Sequence, residues 1–218
     1  MSIATENPQC ETKCESLPTS TRGDWTWEMA TMFPRQGEWT EEQYMSLGLG
    51  RMVEFTDGVL EFLPMVKLSH GRIAKFISEL LSSFVRTGSL GEVLWAPVAI
   101  RIGPGLLREP DILYLSPQRI PKEDIPPDGA DLVMEVVSEG LDNRRRDFER
   151  KREEYAAAGI PEYWIVDPEF ETITVLTLSD GTYKVHGEFG RGQTATSVLL
   201  PGFGIDVTAA FAAAKPRL

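Results

Sequence analysis

The chain has 218 residues, with 22 Lys and Arg against 33 Asp and Glu, a formal net charge of -11, and 42% hydrophobic and 25% charged residues. This is the composition of a globular chain with one sizeable core, and it excludes wholesale disorder. The acid excess argues against diffuse electrostatic capture of nucleic acid, which needs clustered Lys and Arg. No run approaches the ~18 consecutive apolar residues of a membrane span, and the start lacks the basic and apolar regions of a secretion signal, so the expectation is a cytoplasmic protein with no membrane contact.

Residues 1–24 are rich in Ser, Thr, Glu and Pro without apolar periodicity, which predicts a disordered leader, with a single domain over 25–218. The only two cysteines, Cys10 and Cys14, lie in that leader, too few for a disulfide framework and without a second ligand pair for zinc. Thr40 followed three residues later by Gln43 predicts a capped, short helix ending near Gly48. Asp57-Gly58 between runs of Val, Phe and Leu predicts a tight hairpin. From Ser69, Ile73, Phe76, Ile77, Leu80, Leu81, Phe84 and Val85 recur at steps of three and four, predicting a long helix that ends at Gly88.

Strand patterns follow in EVLWAPVAIRI, in DILYLS and in DLVMEVVS, with a turn at Gly103-Pro104-Gly105. NRRRDFERKREEYAAAG reads as a helix leading directly into the strand EYWIVD. Strand, helix, strand in that order predicts a crossover and a partly parallel sheet. The tail reads as ITVLTL, a Ser179-Asp180-Gly181 turn, TYKVHG, TSVLLPG and a short helix near Ala209–Ala214.

Three residues carry the candidate chemistry. Glu135 lies in the middle of a strand apolar on both faces, where an unpaired carboxylate costs several kcal/mol, roughly, and must bind a cation, pair with a base or sit at a cleft. Asp111 follows Pro110 at a strand start, 24 residues before Glu135, a spacing that permits two neighbouring strands. Two hard carboxylates there, with a main-chain carbonyl and waters, are what magnesium takes; a structural salt bridge for Glu135 and a turn position for Asp111 are the bland alternatives. Lys151 falls on one helical face with Phe148 and Tyr155 and so points toward the sheet, with Asp147 four residues earlier able to pair with it. A snorkelling surface lysine would show the same spacing. Arg144, Arg145 and Arg146 make this helix locally basic, either a solvated face or a phosphate-binding patch. Only two histidines, His70 and His186, are present, which excludes a multi-histidine metal site. The carboxylate pair also suits glycoside hydrolysis, but no aromatic platform for a sugar is evident.

EFTDGVLEFLPM, SHGRIAKFISELL, EPDILYLS and DLVMEVVSEGLDNRRRDFERKREEYAAAGIPEYWIVDP, taken in order from about residue 40 to about 210, resemble the Uma2 family of restriction-endonuclease-like proteins, part of the PD-(D/E)XK nuclease superfamily. The resemblance implies a mixed α/β (α+β) fold, with a restriction endonuclease-like core whose central mixed β-sheet is flanked by helices, and with an N-terminal helix and hairpin as additions. It implies that Asp111, Glu135 and the main-chain carbonyl of Val136 hold Mg2+, for which Mn2+ can substitute. The superfamily's usual lysine position is Val137 here, and the family's helical lysine matches Lys151. His70 stands where many members carry a helical Glu, which implies an auxiliary role; Glu54 matches the hairpin pattern and is likewise auxiliary. The loop Ser138-Glu139-Gly140-Leu141 departs from the family's common form. The implied activity is magnesium-dependent hydrolysis of DNA by a homodimeric endonuclease. The alternative is a non-catalytic binding or assembly module in which the same charges form a structural ion-pair network.

Overall fold

The computed structural model describes residues 33–47 and 52–216. The leader expected over 1–24, with Cys10 and Cys14, and the helix end expected at Gly48 lie outside these residues. Every element below belongs to the compact unit Arg35–Leu218.

Helix α1 (Glu41–Ser46) begins at Thr40, whose side chain accepts from the Gln43 amide while Gln43 reaches back to the Thr40 amide. The hairpin β1 (Val53–Thr56) and β2 (Val59–Phe62) turns at Asp57 and Gly58, with φ of 44° and 81°. Both angles lie in the left-handed region a type I′ turn requires. A side chain at Gly58 would also meet the Gly37 carbonyl oxygen at 2.7 Å. The long helix α2 (Leu68–Gly88) buries Ile73, Ile77, Leu81 and Val85, spaced by four, and stops at Ser89 in left-handed conformation. Each such side chain contributes about 1.5–3 kcal/mol of burial.

EVLWAPVAIRI, which reads as one strand, is two. β3 (Glu92–Trp95) joins a six-stranded sheet and β4 (Ile100–Gly103) joins a four-stranded one, with the chain changing sheets across Ala96-Pro97. Proline removes a ladder donor, so the run cannot continue as one strand. The small sheet has the order β2-β1-β5-β4, with β5 at Leu106–Arg108, all pairs antiparallel. Tyr44, Val53, Phe55, Leu60 and Leu107 form its own core.

The large sheet has the order β10-β9-β8-β7-β6-β3, comprising β6 (Ile112–Leu115), β7 (Leu132–Val136), β8 (Glu162–Asp167), β9 (Thr172–Ser179) and β10 (Thr182–Phe189). Its one parallel pair is β7 with β8, joined by the expected helical crossover; the other pairs are antiparallel. Along β6 to β8, Ile112, Tyr114, Met134, Val136 and Trp164 face α2, whereas Leu113, Val133, Tyr163 and Ile165 face the crossover. The period of two therefore places Glu135, flanked by Val133 and Val137, on the crossover side. The tail adds a β11 (Thr194–Thr196) and β12 (Gly204–Asp206) hairpin and helix α5 (Val207–Ala212) on the α2 side; the strand expected at TSVLLPG is instead, beyond Thr196, the loop between β11 and β12, and the helix expected at 209–214 begins two residues earlier.

The crossover is not one regular helix. α3 (Leu141–Arg145) passes through a π-helical turn (Arg146–Arg150) into α4 (Lys151–Ala157). The wider turn shifts the inward face, so that Asp147, Lys151 and Tyr155 are buried while Phe148 is half-buried. This architecture is the mixed α/β fold with a central mixed sheet and flanking helices that the sequence predicts.

Candidate active site

β5 runs through Glu109-Pro110 into β6, so the two sheets meet at this segment. Ile112 pairs with Met134 across the β6–β7 ladder, which sets Asp111 opposite Glu135. Asp111 Oδ2 accepts the Val136 amide at 2.7 Å and lies 3.1 Å from His70 Nε2 at the start of α2. Glu135, 4% exposed, takes two bonds on one oxygen: Lys151 Nζ donates to Oε1 at 2.9 Å and Tyr155 OH donates to it at 2.7 Å. The ring of Tyr155 is fixed edge-on against Tyr163, centroids 5.2 Å apart. Lys151 Nζ also lies 3.0 Å from Oε1 of the fully buried Glu54, an ion pair without hydrogen-bond alignment.

These groups enclose a cavity of about 20 Å³, walled by His70, Glu109, Asp111, Glu135, Arg146 and Lys151, with Val136 in the wall as well. That volume holds about one water or ion. Beside it a groove of about 1130 Å³ opens between α2 and β3 and shares His70 and Asp111 with the cavity. Trp95 stands in this groove 58% exposed. It is an aromatic platform that the sequence conceals, because it sits at the end of an apolar strand pattern; its face stacks a base as readily as a sugar.

Burial pushes the Glu135 carboxyl up to about 7, only partly opposed by the Lys151 charge, with Asp111 and Asp147 adding to the rise. Burial alone would lower Lys151, but Glu135 and Glu54 outweigh it and hold the ammonium above its usual range. Burial would raise Glu54, but Lys151 and Arg108 outweigh it and hold this carboxyl below its usual range. Both acids touch one lysine yet shift oppositely. The opposite shifts are physically consistent, because Glu54 has Arg108 as a second cation and Glu135 has none at that range. Burial would lower His70, and Asp111, the Val136 main chain and Glu135 outweigh it. Glu109 is pushed up to about 7 by burial, against the bonds it accepts from Tyr44 OH and the Val53 amide.

Of the residues singled out by sequence, Asp111, Glu135, Lys151, Val136, His70, Glu54 and Arg146 converge here. Arg144 and Arg145 do not. Arg144 donates to Asp167 at 2.7 Å and to Glu169 at 3.3 Å, and lies over the rings of Phe148 and Phe170. Its donors and face are engaged by the chain itself, so it is no part of an open phosphate patch; Arg145 is exposed away from the cavity wall. Asp147 does not pair with Lys151 as the spacing predicts. Its Oδ1 accepts from Arg146 Nε at 3.3 Å, because the π-turn changes which neighbour it meets. Sequence reasoning missed Glu109, although Glu109 and Asp111 at i and i+2 in an extended segment point to one side. It also assigned Tyr155 only a packing role.

Among the described residues no three His, Cys, Asp or Glu side chains form a ready metal cluster. Magnesium does not require one: two carboxylates, a main-chain carbonyl and waters suffice. The donors fit it, since Asp111 and Glu135 supply hard oxygens beside a cavity of one-ion size, and both hydrogen bonds to Glu135 fall on Oε1.

Fold and site together define a protein of nuclease fold with a carboxylate–lysine centre at the junction of two sheets. Residues 41–208 match the model of the Uma2 family, described as "Putative restriction endonuclease", and the chain belongs to that family. It is also similar to the crystal structure of a "putative nuclease belonging to DUF820" from Anabaena variabilis ATCC 29413, with a TM-score of 0.67 and 16% identity over 81% of this chain and 99% of the other. At that identity the likeness speaks for the fold. The curated proteins include no match. No helix among the described residues is long and apolar enough to cross a membrane.

Proposed function

We propose that the protein is a magnesium-dependent DNA endonuclease of restriction-like fold, with Asp111, Glu135 and Lys151 as its centre. The observation that carries this reading is their convergence, from two strands and a helix, on one small cavity in a chain of this family. Asp111, Glu135 and the Val136 carbonyl would hold the ion. Magnesium bound there supplies acidity to a water and neutralises charge on the scissile phosphate. Lys151, held charged, orients the attacking water or stabilises charge developing on the phosphate. Arg146, whose side chain is 14% exposed at the cavity wall, is the cation placed to meet a phosphate oxygen. His70 fixes Asp111 through the 3.1 Å contact, an auxiliary role. The groove along α2, with Trp95 in it, admits the polynucleotide. We infer action as a cytoplasmic homodimer, since cutting both strands takes two centres, with manganese able to replace magnesium.

A second reading has one observation in its favour: Lys151 already neutralises Glu135, as it would in a purely structural network. Calorimetric titration with magnesium or manganese, followed by nicking assays on plasmid and single-stranded DNA, separates the two. Saturable metal binding and metal-dependent nicking, both lost in Asp111→Asn and Glu135→Gln, support the nuclease. Absence of saturable metal binding supports the module, and wild-type nicking in either variant would remove cleavage from Asp111 and Glu135.

A further inference from the structure

Glu54 is the one fully buried acid at the centre that belongs to the small sheet, and its surroundings exclude a cation-binding role. Lys151 Nζ at 3.0 Å, Arg108 Nε at 3.6 Å and Arg150 Nη2 at 3.6 Å already surround its two oxygens with positive charge. A divalent ion added there would meet three cations.

The backbone on both sides of Glu54 is also secured. On one side, the Val53 amide donates to Glu109 Oε2 at 3.2 Å. Tyr44 OH donates to the Val53 carbonyl at 2.9 Å and contacts Glu109 Oε1 at 3.2 Å. On the other, Arg108 Nη1 donates to the Phe55 carbonyl and to Thr56 Oγ1. The remaining nitrogens of Arg108 grip both oxygens of Glu154, on the same helix as Lys151, at 2.8 and 2.7 Å. Glu54 is thus referenced both to the Glu109–Asp111 segment and to the lysine's helix, which fixes where a carboxylate can meet Nζ.

We propose that Glu54 is a positioning residue that holds the Lys151 ammonium at the cavity when Glu135 turns to a divalent cation. This rests on the reading of Asp111, Glu135 and Lys151 as the hydrolytic centre. In the arrangement described, the ammonium is shared between Glu135 at 2.9 Å and Glu54 at 3.0 Å. A cation on Glu135 competes for the carboxylate and repels the ammonium, so the lysine keeps its place only through a second anchor. The small sheet would then do more than extend the core, since it supplies that anchor.

The test compares Glu54→Gln with Glu61→Gln, a change on the same hairpin at an exposed acid paired with Arg150. Glu54→Gln should keep the wild-type manganese affinity and KM and lose about 10- to 100-fold in kcat. Glu54→Asp should recover part of that loss, and Glu61→Gln should match the wild type. The activity-independent arm is the ¹⁵N spectrum of the lysine ammonium groups, with Lys151 identified by its absence in Lys151→Met. The Lys151 signal should persist on magnesium addition in the wild type and vanish into solvent exchange in Glu54→Gln. Loss of manganese binding in Glu54→Gln as severe as in Glu135→Gln would make Glu54 a ligand and overturn the proposal. Unchanged kcat together with a persistent ammonium signal would also overturn it. If the wild type cleaves nothing, the hydrolytic reading fails, and the ammonium spectra alone then decide the anchor. If thermal melting shows Glu54→Gln unfolded, Glu54→Asp carries the same comparisons.

Discussion

Two buried glutamates lie on the paired strands β7 and β8 and are treated in opposite ways. Glu162, fully buried at the start of β8, has both oxygens satisfied by neutral donors. Trp164 Nε1 and Ser197 OH donate to Oε1, each at 2.7 Å, and the Val198 and Leu199 amides donate to Oε2, each at 2.8 Å. Glu135 takes both its bonds on Oε1, one of them from a charged lysine, and faces a cavity. A buried carboxylate that serves structure is closed off by fixed dipoles, as at Glu162, which ties the loop before β12 to the sheet. Glu135, proposed to serve chemistry, keeps Oε2 without a side-chain or backbone donor among the described residues and a charged partner that can be exchanged.

The largest expected contrast is in activity. Asp111→Asn and Glu135→Gln should abolish metal-dependent nicking and saturable manganese binding in protein that still folds, although Glu135→Gln also destabilises by leaving the buried Lys151 ammonium with Glu54 as its remaining close carboxylate. Glu162→Ala should do the reverse, costing more than about 3 kcal/mol by stranding four donors, with manganese affinity retained in the folded fraction. Lys151→Ala should leave manganese binding in calorimetry near the wild-type value and cut turnover by about 10²- to 10³-fold; equal loss of both would contradict its role.

A smaller effect follows from protonation. Glu135 and Glu109 are held at about 7 in the folded chain against an ordinary 4.5, so the native state binds more protons than the unfolded state between those values. Stability should therefore fall as pH rises from about 4.5 through 7, and the loss from Glu135 should be offset by manganese at pH 8. Urea midpoints at pH 5 and pH 8, with and without manganese, measure this. Smallest is Tyr155→Phe, which removes one bond to Glu135 and should cost about 1 kcal/mol in urea unfolding, with cleavage reduced but present.

The three residues at the core of the candidate site stand out in the sequence through local energetics. A charge inside an apolar strand identified Glu135, a proline before a strand drew attention to Asp111, and helical spacing turned Lys151 inward. What remained illegible depends on pairings between distant segments. That Glu54 meets Lys151 requires β1 to pack beside β5, a contact no local pattern announces. The π-turn that puts Asp147 against Arg146 leaves no mark in a 3.6-residue periodicity, and the diversion of Arg144 to Asp167 depends on where β8 ends. The split of EVLWAPVAIRI between two sheets was signalled only by Pro97.

The apparent obstacle of an acidic chain also changes character. Several acids line the one cavity proposed to take a divalent cation, so DNA affinity should be weak without metal and fall steeply with salt.

The most direct measurement is anomalous diffraction at the manganese edge from crystals soaked in manganese. The account predicts one peak bounded by the carboxylates of Asp111 and Glu135 and the carbonyl of Val136, with Lys151 still beside Glu54. Undiminished Lys151–Glu135 contact with no peak at the cavity, in crystals whose dissolved protein nicks DNA with manganese, would contradict it.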